Sequence, residues 1–127
     1  MTEQKYDKEN PFAKIIRKEI PTDIVYEDDV CLAFNDISPA APIHVLVVPK
    51  GEYISFHDFA QKAGEQEVSA FFRSVRKIAD DLGLDDNGYR VIFNHGADAS
   101  QTVFHFHVHI IGGRALGGLV PSDNKIR

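Results

Sequence analysis

The chain of 127 residues has little of what several large protein classes require. Its single cysteine, Cys31, cannot form an internal disulfide, and the apolar neighbours in "VCLAF" favour a buried side chain over a reactive thiol. No apolar run is long enough to cross a bilayer, and the polar first residues "MTEQKYDKENP" contain no apolar signal segment. These absences predict a soluble protein of a reducing compartment, most simply the cytoplasm.

Positive charge is also scarce. The sequence has 14 Lys and Arg against 19 Asp and Glu, which gives a net charge of −5 and a pI of about 5.6. Such a chain has no broad basic field to attract a nucleic-acid backbone, although local donors can still bind a small phosphate group. We therefore expect neither a nucleic-acid partner nor a membrane.

What the sequence does contain is the composition of one globular domain. Apolar residues make up 43% and charged residues 26%, and the length suits one core. We expect residues 1–9 to be a flexible N-terminal arm and residues 10–127 to form a single domain.

Sequence patterning predicts two helices and five strands. Asn10 and Pro11 suit the start of a short helix over residues 10–21. Apolar residues at three- and four-residue steps predict a long helix over residues 64–82 that Gly83 ends. Runs rich in β-branched and aromatic residues predict strands at 23–27, 30–36, 43–49, 89–94 and 103–111.

This order of elements favours the α+β class. Only one connection between strands holds a long helix, so an antiparallel arrangement is simplest. We predict an antiparallel five-stranded sheet with one long and one or two short helices, which pack against one face of the sheet.

The stretch "FHFHVHII", residues 104–111, places three histidines at alternate positions. Alternate side chains in a strand point to the same face. His105, His107 and His109 are therefore predicted to share an outward face. The intervening residues would pack beneath the helices; they are Phe104, Phe106, Val108 and Ile110.

Three interpretations of this histidine row are open from the residues alone. It could be a merely polar strand face, although three histidines in strict alternation are unusual for that. It could be a metal site, since neutral imidazole is a common zinc ligand, although no cysteine or acidic residue is evident beside the row. It could also provide nucleophilic catalysis, with one imidazole attacking and its neighbours orienting or protonating.

The motif "HFHVHII" resembles the signature of the histidine triad (HIT) family, in which three histidines alternate with apolar residues. Two longer stretches, residues 11–50 and 81–114, resemble the nucleotide-binding, phosphoramidase branch of that family. The likeness extends from about residue 11 to residue 114, and it implies a HIT-like fold, a homodimer and a purine nucleotide substrate.

The resemblance also implies a reaction and its catalytic residues. The expected reaction cleaves the bond between an AMP-like phosphate and an amine through a covalent nucleotidyl-histidine intermediate, without a metal or other cofactor. His107 corresponds to the nucleophile, and His109 to the residue beside the phosphate. His105 and His44 correspond to orienting or proton-relay partners.

A nucleotide pocket follows from the same resemblance. Ser100, Gln101 and Thr102 would donate hydrogen bonds to phosphate, and Asn94 would reach the nucleotide. Asp36 would accept the ribose hydroxyls, although a simple turn role before Ser38 is open as well. The expected apolar walls are Phe12, Ile15, Phe34 and Ile37. His57 and His95 are expected to be surface residues.

The sequence departs from the family at three places. Glu52 stands where relatives often have a histidine, Thr102 stands where a serine is common, and the C-terminal tail contains no tryptophan. Two alternative functions are also open. One is a dinucleoside polyphosphate hydrolase of the same family, and the other is a nucleotide-binding regulatory protein whose hydrolysis is incidental.

Overall fold

The computed structural model describes residues 4–120, so the start of the predicted arm and the end of the tail lie outside the described residues. The elements in chain order are α1 (Pro11–Ile16), β1 (Ile24–Glu27), β2 (Cys31–Asn35), β3 (Ile43–Pro49), α2 (Phe56–Lys62), α3 (Glu65–Asp81), β4 (Tyr89–Ile92), a 3₁₀ turn (Ala97–Ala99) and β5 (Val108–Gly112). Within these described residues the sheet has five strands, all antiparallel to their neighbours, in the order β1-β2-β3-β5-β4. The predicted α+β class with a five-stranded antiparallel sheet is confirmed.

The first helix is short because its two ends are fixed locally. The Asn10 side chain accepts hydrogen bonds from the backbone N–H groups of Phe12 and Ala13, as the predicted N-cap requires. The helix was predicted to reach residue 20. It ends earlier because Lys18 adopts a left-handed backbone conformation with φ of 64°.

The sheet is covered on both faces, so the expectation that all helices lie on one face is wrong. The α2 and α3 helices pack against Val45, Val47, Val108 and Ile110 in the larger core. The α1 helix packs on the opposite face in a smaller cluster around Leu32 and Leu46. The reason is visible in β2 and β3, whose nearly continuous apolar sequences suit strands buried on both faces.

The β1–β2 hairpin is held by the Asp28 carboxylate. Burial alone would raise its pKa. However, hydrogen bonds donated by Tyr26, Ser74 and the backbone N–H groups of Cys31 and Val30 lower the pKa of Asp28 to about 2. Because Ser74 belongs to α3, the same carboxylate also ties the long helix to the hairpin.

The fifth strand begins later than predicted. The sequence pattern placed it at residues 103–111, but β5 starts at Val108, so His109 alone of the triad lies within a strand. The backbone N–H of Phe106 donates instead to the carbonyl of Tyr53. As a result His105 is fully buried rather than facing outward, and Phe104 is exposed rather than covered by the helices.

The described helices include none that is both long and apolar enough to cross a membrane.

Candidate active site

A cavity of about 420 Å³ opens on the α1 face of the sheet. Eight of the residues predicted for the site line it, namely Phe12, Ile15, Phe34, Asp36, Ile37, Thr102, His107 and His109. The other five predicted residues are absent from its described lining: His44, Asn94, Ser100, Gln101 and His105. The fold thus brings together the central and last histidines of the row with the proposed nucleoside-binding residues.

The imidazole of His107 is held in one tautomer. Its Nδ1 lies 2.8 Å from the carbonyl oxygen of His105, and a carbonyl only accepts, so Nδ1 carries the proton. Nε2 therefore keeps its lone pair. Burial lowers the pKa of His107 below its usual 6.5, only partly offset by this hydrogen bond and by the charge of Asp36. The ring is thus neutral near pH 7, and the Phe12 ring packs edge-on against it with centroids 4.9 Å apart.

His109 is fixed in the complementary tautomer by a chain of hydrogen bonds. The backbone N–H of Ala40 donates to His44 Nδ1 at 3.0 Å, so neutral His44 carries its proton on Nε2. That nitrogen lies 2.9 Å from His109 Nδ1, which must accept. Neutral His109 therefore has its proton on Nε2. Burial, followed by the nearby His107 and His44, lowers the pKa of His109 to about 4, which keeps the ring neutral.

His105 lies behind the cavity and is bonded at both ring nitrogens. Its Nε2 lies 2.8 Å from the carbonyl oxygen of Pro49, and its Nδ1 lies 2.7 Å from the hydroxyl of Tyr6. Removal of the ring from water on burial lowers the pKa of His105 to about 4. His105 therefore contributes its backbone carbonyl to His107 and remains an uncharged ring.

Asp36 has the predicted turn role and directs its second carboxylate oxygen toward the histidines. One carboxylate oxygen accepts from the backbone N–H of Ser38, which is the turn role. The other oxygen lies 3.4 Å from His44 Nε2, on the side of the histidines. Since a carboxylate oxygen accepts more than one hydrogen bond, the turn does not prevent Asp36 from also binding ribose hydroxyls.

The loop before the histidines contributes fewer donors to the cavity than expected. The Gln101 side chain donates to the carbonyls of Ile54 and Val103, and its oxygen accepts from Gly96 N–H. The backbone N–H of Gln101 donates to the carbonyl of Gly96. The polar groups of Gln101 are therefore bonded to the protein backbone and stabilise the loop. The Ser100 N–H is likewise occupied by a loop carbonyl. Thr102 is therefore the predicted phosphate donor that reaches the described lining.

Several lining residues were not predicted from the sequence. They are Pro11, Ile20, Pro21, Thr22, Asn35, Leu46 and Val103. Leu46 faces His109 across the β3–β5 pair, so the strand register would have revealed it. The partners Tyr6, Pro49 and Ala40 were missed as well. The last two act through backbone atoms, which carry no sequence signal.

The metal interpretation can be tested on the donor set. The fold supplies the acidic residue that was not evident beside the row, because ligand atoms of Asp36, His44 and His109 lie within 4.8 Å of one another. However, the nitrogen of His44 that faces His109 carries a proton and has no lone pair for a cation. Ligation would require breaking the bond from Ala40. These residues therefore do not fit a resident metal ion.

The three remaining residues singled out in the sequence lie on the surface. Glu52 is exposed, with a carboxylate oxygen 3.9 Å from Lys8 Nζ. His57 and His95 are exposed and lie close together, with ring centroids 4.4 Å apart. The expectation of a surface position for the two histidines is confirmed.

Residues 17–116 match the HIT domain family. An uncharacterised HIT-like protein of Rickettsia prowazekii is 52% identical over 94% of this chain and 99% of its own length. The purine nucleoside phosphoramidase of Escherichia coli is 43% identical over 88% of this chain and 93% of its own. A crystal structure of a HIT family hydrolase from Legionella pneumophila superposes with a TM-score of 0.80 at 36% identity, covering 85% of this chain and 96% of that one.

Proposed function

The chain belongs to the HIT domain family, and on that premise we propose that it is a purine nucleoside phosphoramidase that forms a covalent nucleotidyl-histidine at His107. The observation that carries the proposal is the hydrogen bond from His107 Nδ1 to the carbonyl of His105, because it leaves Nε2 as a free nucleophile beside the cavity. A relative of this chain bears the name purine nucleoside phosphoramidase.

In the first step, the His107 Nε2 lone pair forms a bond to the α-phosphorus of the nucleotide. The phosphorus–nitrogen bond breaks, its electron pair stays on nitrogen, and nitrogen takes up one proton as the amine leaves. His109 Nε2–H is the donor available to stabilise the phosphoryl oxygen or the departing nitrogen. The covalent intermediate divides one difficult displacement into two easier ones.

In the second step, water attacks the nucleotidyl-histidine and releases the nucleoside monophosphate. Over both steps one water is consumed, with its hydroxyl on phosphorus and its remaining proton on the amine. His107 recovers the Nε2 lone pair with which it began. The hydrogen bond from Nδ1 to His105 supports the positive charge that the ring carries while it is nucleotidylated.

The charge of the cavity favours an amine over a polyphosphate as the leaving group. The described lining contains one carboxylate, Asp36, and neither lysine nor arginine. The histidines are neutral, so nothing in that lining offsets the several negative charges of a polyphosphate chain. A neutral amine carries no such electrostatic cost, and for this reason we prefer the phosphoramidase to the dinucleoside polyphosphate hydrolase.

We assign the nucleoside to the apolar end of the cavity. Phe12, Ile15 and Phe34 provide walls for the base, and Ile37 lies at the rim with 97% of its surface exposed. Asp36 is proposed to accept the ribose hydroxyls, and Thr102 to donate to phosphate. Asn94 and Ser100, which lie outside the described lining, would need a loop movement to contact the nucleotide.

A homodimer is proposed at the free edge of β4. Among the described residues this strand has a partner on one side only, and apolar side chains are exposed on it at Val91 and directly after it at Phe93. A free strand edge with adjoining apolar surface is suited to pairing with a second copy of the chain. Such pairing would continue the sheet across the two subunits.

The decisive experiment is intact mass after rapid quenching with an adenosine phosphoramidate. We expect a transient gain of one AMP on the wild-type chain, located on His107 by peptide mapping. The His107→Ala variant should remain folded by circular dichroism and gain no AMP, with turnover reduced on the order of 10⁴-fold or more. Full turnover in that variant would overturn the mechanism.

Parallel assays separate the alternatives. Faster turnover of a diadenosine polyphosphate than of the phosphoramidate would favour the polyphosphate hydrolase. Binding of AMP without measurable turnover of either compound would favour a regulatory protein.

A further inference from the structure

Tyr6 contacts the catalytic row from outside the segment that defines the family. Its hydroxyl lies 2.7 Å from His105 Nδ1, and the two rings meet edge to face with centroids 5.6 Å apart. The matched family segment begins at residue 17, so the HIT domain as such does not include Tyr6. The N-terminal segment therefore supplies a contact to the histidine row from outside the matched segment.

The direction of this hydrogen bond follows from the other side of the ring. The carbonyl of Pro49 only accepts, so His105 Nε2 carries the proton of the neutral imidazole. His105 Nδ1 must then be an acceptor, and the Tyr6 hydroxyl is the donor. Both nitrogens of a fully buried ring are thereby satisfied, and each bond fixes the other.

The arm is anchored close to Tyr6 by bonds to its backbone. The Arg17 guanidinium donates to the carbonyl of Lys8 at 2.7 Å, and the Asn10 side-chain amide donates to the carbonyl of Asp7 at 2.8 Å. The Asn10 amide oxygen also caps α1. Tyr6 is thus carried by a segment that is tied to the first helix and to the wall of the cavity.

We propose that Tyr6 is a positioning residue for the reaction: it locks the His105 ring, and so places the His105 carbonyl that orients the His107 nucleophile. The chain of contacts runs from the Tyr6 hydroxyl to His105 Nδ1, and from the His105 carbonyl to His107 Nδ1. Tyr6 is not among the residues described as lining the cavity, so its proposed effect passes through His105. This inference rests on the proposed role of His107.

The test compares Tyr6→Phe with Lys5→Ala in the full chain. The first removes only the hydroxyl, and the second alters the neighbouring exposed residue of the arm. For each variant we would measure kcat and KM with an adenosine phosphoramidate, the thermal midpoint, and the ¹⁵N imidazole signals of His105 and His107 by NMR. The NMR signals report tautomer and hydrogen bonding whether or not any substrate is turned over.

For Tyr6→Phe we expect kcat to fall about tenfold with KM within about twofold, because an oriented hydrogen bond is lost without a change in the nucleotide contacts. The His105 Nδ1 signal should move to that of a ring nitrogen without a donor. Lys5→Ala should match the wild type in every measurement.

Unchanged kcat in Tyr6→Phe would overturn the proposal, whether or not the thermal midpoint falls. A rise in KM alone, or a lower kcat with unchanged His105 signals, would also overturn it. If the wild type turned over no phosphoramidate, the proposed function would fail, while the NMR comparison would still decide whether Tyr6 locks the ring.

Discussion

His44 Nε2 lies 2.9 Å from His109 Nδ1, although the two residues are 65 positions apart in the chain. The antiparallel pairing of β3 with β5 brings them together, and the amide of Ala40 decides which of them donates. The fold thereby determines which nitrogen of neutral His109 carries the proton. His44 on β3 and Ala40 in the preceding loop thus determine the tautomer of His109, a residue of the motif.

Removing the donor at position 44 should impair catalysis more than binding. In His44→Leu, His109 Nδ1 loses its donor and the Nε2–H tautomer is no longer enforced. We expect kcat to fall on the order of a hundredfold, the lower end of what a positioned proton donor contributes. His44→Gln, which can still present an N–H, should retain much more activity. Equal losses in the two variants would show that the donated proton is not what matters.

The activity should persist into mildly acidic solution. Burial lowers the pKa of His107 below 6.5, so the nucleophile remains unprotonated at a pH where an exposed histidine is largely protonated. We therefore expect the midpoint of the acid decline in kcat/KM to lie below pH 6.5. The profile would be measured with an adenosine phosphoramidate after subtracting its spontaneous acid hydrolysis. An inflection at or above pH 6.5 would contradict the buried, neutral nucleophile.

Chelators should leave the enzyme active. The proton on His44 Nε2 prevents the cluster of Asp36, His44 and His109 from acting as a resident metal site. After dialysis against EDTA we expect kcat to match that of the untreated protein. Loss of activity that zinc restores would establish the metal interpretation in place of this one.

The two edge strands offer a matched test of the dimer. Val91 on β4 and Ile24 on β1 are exposed to almost the same extent, 42% and 41%. We expect Val91→Asp to yield monomers and Ile24→Asp to remain dimeric, since the proposed pairing buries only the β4 edge. Size-exclusion chromatography with light scattering over a range of concentrations would measure both. Dimers of unchanged stability in Val91→Asp would place the interface elsewhere.

The sequence predicted elements well where local pattern and packing agree. The limits of β3 are those predicted, and α3 differs from its prediction by one residue at each end. The short α2 helix was not located, because it buries only Phe59 and so repeats no apolar stripe. The start of β5 was misplaced because the alternation of "FHFHVHII" continues through residues whose backbone bonds go elsewhere.

In the candidate site, too, residues within a sequence motif were predicted, and contacts made by other parts of the fold were not. Triad resemblance indicated His107 and His109, which line the cavity together. It could not indicate that the Gln101 side chain bonds to the carbonyl of Ile54, or that backbone groups of Ala40 and Pro49 select tautomers, because such backbone contacts carry no sequence signal. Tyr6 lay in a segment predicted to be a flexible arm, and its side chain nevertheless bonds to His105.

Buried neutral histidines should also make the folded state sensitive to acid. The pKa of His105 is about 4 in the folded chain against 6.5 in an exposed histidine. Between these values the unfolded state binds more protons, so stability is full above pH 6.5 and falls as pH decreases toward 4, by about 3 kcal/mol for this residue. His109, with its pKa also lowered to about 4, acts in the same direction.

Urea unfolding at pH 7 and at pH 4.5 would test this for His105. His105→Gln keeps an N–H for Pro49 but cannot titrate, so it should lose less stability on acidification than the wild type. Asp28 does not confound the comparison, because the stability it contributes is lost only as pH falls from 3.8 toward its folded pKa of about 2. An equal loss of stability in the two proteins would mean that His105 is not the neutral, desolvated ring on which the orientation of His107 depends.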